Sequence, residues 1–116
     1  MKLQVKDLIA APFTPMLKNG DINMDMIGPY GECLRNQGVM NVFINGTTGE
    51  GMSLSVAERK AVTEKWMSDG KMDCVMSQIG CNSIADVKEL ARHAESCKVN
   101  AIATLPPFYY KCKVSI

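Results

Sequence analysis

"VFINGTTGEGMSLSVAER", residues 42–59, joins three structural signals in one short stretch. An apolar run, Val42 to Ile44, stops at a loop that holds two adjacent threonines, Thr47 and Thr48, between Gly46 and Gly49. Ser55 and Glu58 then supply the S-x-x-E spacing, in which each side chain satisfies the other's orphan backbone donor at a helix start. Val62 and Trp66 follow at i, i+4 and are expected to pack one helix face against a sheet. Strand, loop and capped helix in that order form the unit from which α/β proteins are built.

The unit recurs in both directions. Four short apolar runs, "DLIAAPF" (7–13), "NVFIN" (41–45), "CVMSQIG" (74–80) and "NAIATLP" (100–106), alternate with helical patterns. Their near-continuous apolar character suits strands of a parallel sheet buried on both faces. In the last helix Ser83 is placed to cap, Asp86 stands three residues on, and Ile84, Val87, Ala91 and Ala94 line one face. His93 falls on the opposite side with Asp86, Glu89 and Ser96, and reads as a solvated surface histidine rather than a ligand.

The first helix is weaker. Asn23 can cap it, yet Gly28, Pro29 and Gly31 fall within its body. An interior proline costs roughly 3 kcal/mol and each glycine up to about 1, so a kink or a late start near Pro29 is expected. Asn19-Gly20 could instead close a hairpin, but the flanking residues do not alternate as paired strands should. The whole pattern predicts an α/β chain with right-handed crossovers, closed either as a flavodoxin-like open sheet or as part of a (β/α)8 barrel. Periodicity does not choose between them.

Composition narrows the function classes. The 116 residues allow one domain, and 47% hydrophobic with 22% charged residues is the balance of an ordinary globular chain. A formal net charge of +1 gives no electrostatic reason to expect nucleic acid or an anionic membrane as partner. No stretch approaches the roughly 20 apolar residues of a membrane span, and the start of the chain lacks the apolar core of a secretory signal. Five cysteines (Cys33, Cys74, Cys81, Cys97, Cys112) with no CxxC predict reduced thiols in a cytoplasmic protein. The nine methionines are expected to fill core space, and no glycine-rich nucleotide motif is present.

In either closure, ligands gather at the carboxyl ends of the strands, where "GTTGEG" (46–51) falls. Gly46 and Gly49 allow a tight turn and close backbone approach. Thr47 and Thr48 present two hydroxyls beside backbone N–H groups, and the nearby helix start adds donors and dipole, so a small carboxylate or a phosphate would suit. The alternative is a glycine-rich turn whose threonines only satisfy local backbone.

"FINGTTGEGMSLSVAER" (43–59) resembles the pyruvate-dependent class I aldolases, the family of N-acetylneuraminate lyase and dihydrodipicolinate synthase. "AAPFTPMLKNGDIN" (10–23) resembles that family's first strand and following loop, and "LPPFYYK" (105–111) the end of its fourth strand. The likeness runs from about residue 8 to about residue 110; Asn45 and Gly51 are most similar to the animal N-acetylneuraminate lyases. It implies the N-terminal half of a (β/α)8 barrel over residues 1–110, commonly assembled as a homotetramer, with a divergent tail at 111–116. The implied reaction cleaves N-acetylneuraminate to N-acetylmannosamine and pyruvate with no metal or organic cofactor. Thr47 and Thr48 take the place of the residues that hold the pyruvate carboxylate. Tyr110, or else Tyr109, takes the place of a tyrosine after strand four that relays protons, in some members across a subunit interface. Aromatic packing at a strand end is the alternative reading of that pair.

The resemblance also places a Schiff-base lysine on the sixth strand and a proton-transfer tyrosine on the fifth. A full barrel has eight strands and about 250 residues, so both lie beyond the four runs found in these residues. None of the four runs contains a lysine; Lys60, Lys65 and Lys88 fall on helices, and Lys111 and Lys113 in the tail. The expectation is a truncated chain, inactive alone, that binds a carboxylate without the nucleophile.

Overall fold

The computed structural model describes residues 3–110 and residue 113. Its sheet contains β1 (Ile9–Ala10), β2 (Asn41–Ile44), β3 (Cys74–Gln78) and β4 (Ala101–Ala103), all parallel and in the order β1-β2-β3-β4. Strand order equal to chain order decides the closure. A flavodoxin-like sheet reverses direction at a switch point, whereas here every crossover steps the same way. With a constant hand, all helices fall on one face, and the other face is left to become a barrel interior.

Each apolar run forms a strand, but a shorter one than its apolar length. β1 is the extreme case. Pro12 has no N–H to give the ladder, and the side chain of Asn41 donates to the carbonyls of Lys6 (2.8 Å) and Leu8 (3.1 Å), holding the entry to β1 without strand pairing. Register sets which side each residue takes: Ala10 pairs with Val42, and Ile44 with Ser77, which pairs with Ile102. That row faces the helices.

The helices are α1 (Ile27–Asn36), α2 (Val56–Lys65) and α3 (Ile84–Ser96). α1 starts late, as its proline requires. A 3-10 turn at Met24–Met26 precedes it, and Pro29 then falls in the first turn, where a missing N–H leaves no intrahelical bond unmade. Asn23 makes no side-chain capping bond, contrary to expectation. Gly31 packs on the backbone of Gly70, leaving no room for a Cβ. The Asn19-Gly20 turn does close a miniature hairpin, with one antiparallel bridge from Met16 to Ile22. Gly20 at φ +93° supplies the left-handed turn residue, and a single bridge needs no alternation.

α2 begins with the full capping box: Ser55 Oγ accepts from Glu58 N–H (3.2 Å) and Glu58 Oε2 accepts from Ser55 N–H (2.7 Å). It runs into a π turn at Trp66–Gly70. Ile27, Val42, Ile44, Val62, Trp66 and Val75 form the main core, and Tyr30 meets Trp66 with ring centroids 5.9 Å apart. A second cluster joins Ile79 to Leu90 and Ala94, with Val87 and Ala91 packed against it.

Two expectations about α3 need correction. Ile84 is 70% exposed, because as the first helical residue it lies one turn before the packed seam. His93 is not solvated: its side chain is 15% exposed and meets Glu64 of α2. Neighbouring helices on one sheet face bury a flank as well as a base, which a single apolar stripe does not reveal. The methionines divide as well: Met24, Met67 and Met72 pack on the core, while Met16, Met26 and Met52 are exposed. Cys33, Cys74, Cys81 and Cys97 are free thiols; Cys112 and most of the 111–116 tail lie outside the described residues. Among the described residues no helix is long and apolar enough to cross a membrane.

Candidate active site

The threonine loop leaves the carboxyl end of β2. Its shape comes from residues the sequence does not advertise. Neither Gly46 nor Gly49 has a positive φ; the left-handed positions are Asn45 (φ 58°) and Glu50 (φ 54°), which bracket the pair. The glycines serve for space instead. A Cβ on Gly46 would stand 2.7 Å from the Phe43 ring, and one on Gly49 would crowd the Pro12 carbonyl oxygen at 3.2 Å. Gly51 is tighter still, pressed on the carbonyl of Asn45.

Buried polar groups anchor this turn from three directions. Thr14, in the loop after β1, donates its hydroxyl to the Gly49 carbonyl at 2.6 Å. Asn45 Nδ2 donates to the Arg59 carbonyl and to Thr63 Oγ1, both at 3.2 Å, and Thr63 Oγ1 lies 3.3 Å from Ser77 Oγ. The backbone closes the loop through Glu50 N–H to Thr47 O (3.0 Å) and Gly51 N–H to Gly46 O (3.1 Å). Arg59, 2% exposed, donates to the Gln78 carbonyl (2.6 Å) and the Gly80 carbonyl (3.1 Å), tying α2 to the end of β3. Burial pushes the Arg59 pKa down from its ordinary value, while Cys81 and then Asp86 beside it pull the other way.

Thr47 is exposed and Thr48 half-buried. Among the described residues, neither hydroxyl makes a hydrogen bond, and neither backbone N–H finds an acceptor. The loop is thus held by its neighbours while its own donors remain available, which argues against threonines serving only the local backbone. The α2 end contributes less than expected. A 3-10 turn at Gly51–Ser53 separates it from Thr48, and Glu58 already places a carboxylate there. The free donors beside the threonines are therefore those of the loop rather than of that helix end.

Tyr109 and Tyr110 follow β4 at the same end of the sheet, with β3 between their strand and β2. Both are largely exposed, at 87% and 78%, and their rings meet edge to face at 4.9 Å. Tyr109 adopts a left-handed φ of 76°. Phe108 N–H donates to Asn82 Oδ1 at 2.8 Å, which fastens this loop to the one after β3. Strand ends 1 to 4 therefore surround one rim. A cleft of about 380 Å³ near it is lined by Met52, Arg59, Cys81, Ser83 and Phe108 among others, and does not include the threonines.

Residues 4–115 match the dihydrodipicolinate synthetase family across nearly the whole chain. The chain belongs to that family. It is 51% identical over 111 residues to the N-acetylneuraminate lyase of Xenopus tropicalis, which covers 93% of this chain and 36% of the relative. Among solved structures it superposes on the Proteus mirabilis N-acetylneuraminate lyase with a TM-score of 0.92 and 37% identity, covering 97% of this chain and 38% of the other. The catalytic lysine mutant of the Ruminococcus gnavus sialic acid aldolase gives 0.84 and 34%, covering 90% and 35%. These neighbours are (β/α)8 barrels, and the four parallel strands here are part of one. The chain spans little more than a third of the length of these relatives.

Proposed function

We propose that these residues form the carboxylate-holding side of a pyruvate-dependent aldolase of the N-acetylneuraminate lyase type. The observation that carries the reading is the pair of unpartnered hydroxyls at Thr47 and Thr48, on a loop immobilised at the carboxyl end of the sheet. Two hydroxyls with adjacent free amides supply the number of donors that a small carboxylate accepts, and hydrogen bonds to a charged group contribute about 1.5–3 kcal/mol each. The 2-keto acid end of open-chain N-acetylneuraminate, the part released as pyruvate, would present its carbonyl there for attack by a lysine amine. Water is lost as the Schiff base forms, and that base accepts the electron pair when the carbon–carbon bond breaks. Tyr110, with Tyr109 beside it, would pass a proton from the rim after β4.

The nucleophile lies elsewhere. A lysine is catalytic in the Ruminococcus gnavus relative. Here Lys60 pairs with Glu89 and Lys65 with Asp69 (2.6 Å), both on the outer helical layer, and Lys88 is an exposed residue of α3. The 116 residues therefore bind without turning over, and catalysis belongs to a chain that carries the later strands. Such a full-length form would be a homotetramer, and a cytoplasmic location is supported by the free thiols of Cys33, Cys74, Cys81 and Cys97 among the described residues.

A chimera tests the reading: residues 1–110 replace the matching part of the Xenopus tropicalis lyase. It is expected to release pyruvate from N-acetylneuraminate, and Thr47→Val with Thr48→Val to raise KM about 10- to 100-fold, the loss of one or two charge-assisted hydrogen bonds. A folded chimera that turns over only another aldol substrate would transfer the assignment to a different pyruvate aldolase. Borohydride treatment of the 116-residue chain with pyruvate is expected to trap no adduct. A stoichiometric adduct on one of its lysines would overturn the division of labour.

A further inference from the structure

α2 and α3 lie side by side, and their contacts repeat one turn apart. Lys60 pairs with Glu89, and four residues later on each helix Glu64 meets His93. The helices thus run parallel in fixed register. At the C-terminal end of α3 a third group joins: Cys97, four residues after His93 and on the same helix face. Glu64 Oε1 stands 2.7 Å from His93 Nε2, and Cys97 Sγ lies 3.6 Å from Nε2 and 3.8 Å from Nδ1. The three ligand atoms fall within 4.8 Å of one another.

We propose that Glu64, His93 and Cys97 bind a divalent cation of the zinc class and staple α2 to α3. Zinc takes thiolate at about 2.3 Å and imidazole at about 2.0–2.1 Å, so a tetrahedral site has a sulfur–nitrogen edge of about 3.5 Å. The 3.6 Å between Cys97 Sγ and His93 Nε2 equals that edge in length, but the 3.8 Å to Nδ1 sets the sulfur beside the ring, so the Cys97 side chain must turn outward past Nε2 to share the ion. The corresponding nitrogen–oxygen edge is about 3.3 Å, so the Glu64 carboxylate must draw back by roughly half an ångström. With its side chain 62% exposed, it can do so without disturbing the core. A thiolate with an imidazole selects zinc or cobalt over magnesium or calcium, and three protein ligands leave a fourth position for water. The C-terminal end of α3 adds its negative dipole end beside the cation. Helices run back against the strands in this fold, so the site sits at the opposite end of the sheet from Thr47 and takes no part in the aldolase chemistry.

The test is titration of the 116-residue chain with cobalt(II). One equivalent is expected to bind with the visible absorption of tetrahedral cobalt and a near-ultraviolet thiolate charge-transfer band, both lost when zinc is added. Cys97→Ser removes the charge-transfer band, whereas Cys33→Ser, an exposed thiol elsewhere, leaves it. Glu64→Gln changes an exposed position, keeps the fold, and weakens binding about tenfold or more. Six-coordinate cobalt, a thiolate band that survives Cys97→Ser, or an affinity unchanged by Glu64→Gln would each overturn the site.

Discussion

At Gly51 a Cβ would overlap the carbonyl oxygen of Asn45, a backbone atom fixed by the left-handed turn it belongs to. At Gly46 the added atom would meet the edge of the half-buried Phe43 ring at 2.7 Å, and a ring can rotate. Gly51→Ala is therefore expected to cost about 2–4 kcal/mol, and Gly46→Ala under about 1.5, in chemical denaturation of the chain. Equal losses would mean that the loop gives way at both points. The threonine pair proposed here to hold a carboxylate stood out in the sequence because two hydroxyls flanked by glycines are a local signal. Its support did not. Asn45, Thr63 and Ser77 meet across 14 to 18 residues of chain, and Arg59 reaches Gln78 across 19. A lone asparagine or serine carries no mark of which distant group will satisfy it. The glycines misled for a related reason: their role depends on neighbours in space, while their usual reading depends on φ.

Among the elements, α2 was the most legible, since its cap, its apolar pair and its length are all local. The capping box also makes a pH-dependent contribution. The Ser55 amide and hydroxyl hold the Glu58 carboxyl below its ordinary value of 4.5. A depressed folded-state pKa stabilises the fold above the unfolded value, and that contribution fades as acid carries the pH below about 4.5 and through the lower folded value. Glu58→Gln keeps an acceptor for the Ser55 N–H but removes the titration. It is expected to flatten the acid dependence of stability by lowering stability at neutral pH, with little change at pH 3, where the carboxyl is already protonated. Ser55→Ala, by contrast, costs about 1 kcal/mol and keeps most of the acid slope, because the Ser55 amide, the larger cause of the depressed carboxyl, remains. Denaturant midpoints measured from pH 3 to 7 separate the two; an unchanged acid slope in Glu58→Gln would assign that slope to other carboxylates, with Asp69 and Glu89 the next candidates. The flank of α3 was illegible because His93 and Glu64 belong to different helices, and only the register between those helices brings them together.

The molecule as a whole is a two-layer slab, 47 × 40 × 23 Å, with three helices on one face of a four-stranded sheet. Sequence periodicity revealed the strands and helices but not their order, which depends on the hand and step of each crossover. The family resemblance supplied what periodicity lacked. In a closed barrel the edges of β1 and β4 would be paired, and both faces of each strand covered. Here Leu8 is 74% exposed and Ile102 50%, each beside an open edge of parallel backbone donors and acceptors. Such edges and apolar rows favour association with another chain. The 116-residue chain is therefore expected to self-associate with rising concentration in light scattering. Ile102 shares the helix-facing row with Ser77 and borders a cleft with Ala91, Arg92 and Glu95 of α3, but it is half exposed and belongs to neither core cluster, so a charge there disturbs no packed core. Burying an isoleucine contributes about 1.5–3 kcal/mol, so Ile102→Glu should raise the concentration needed for association by about tenfold or more. A wild-type chain that stays monomeric at every concentration would show that the bare edges are tolerated in water, leaving Ile102→Glu nothing to relieve.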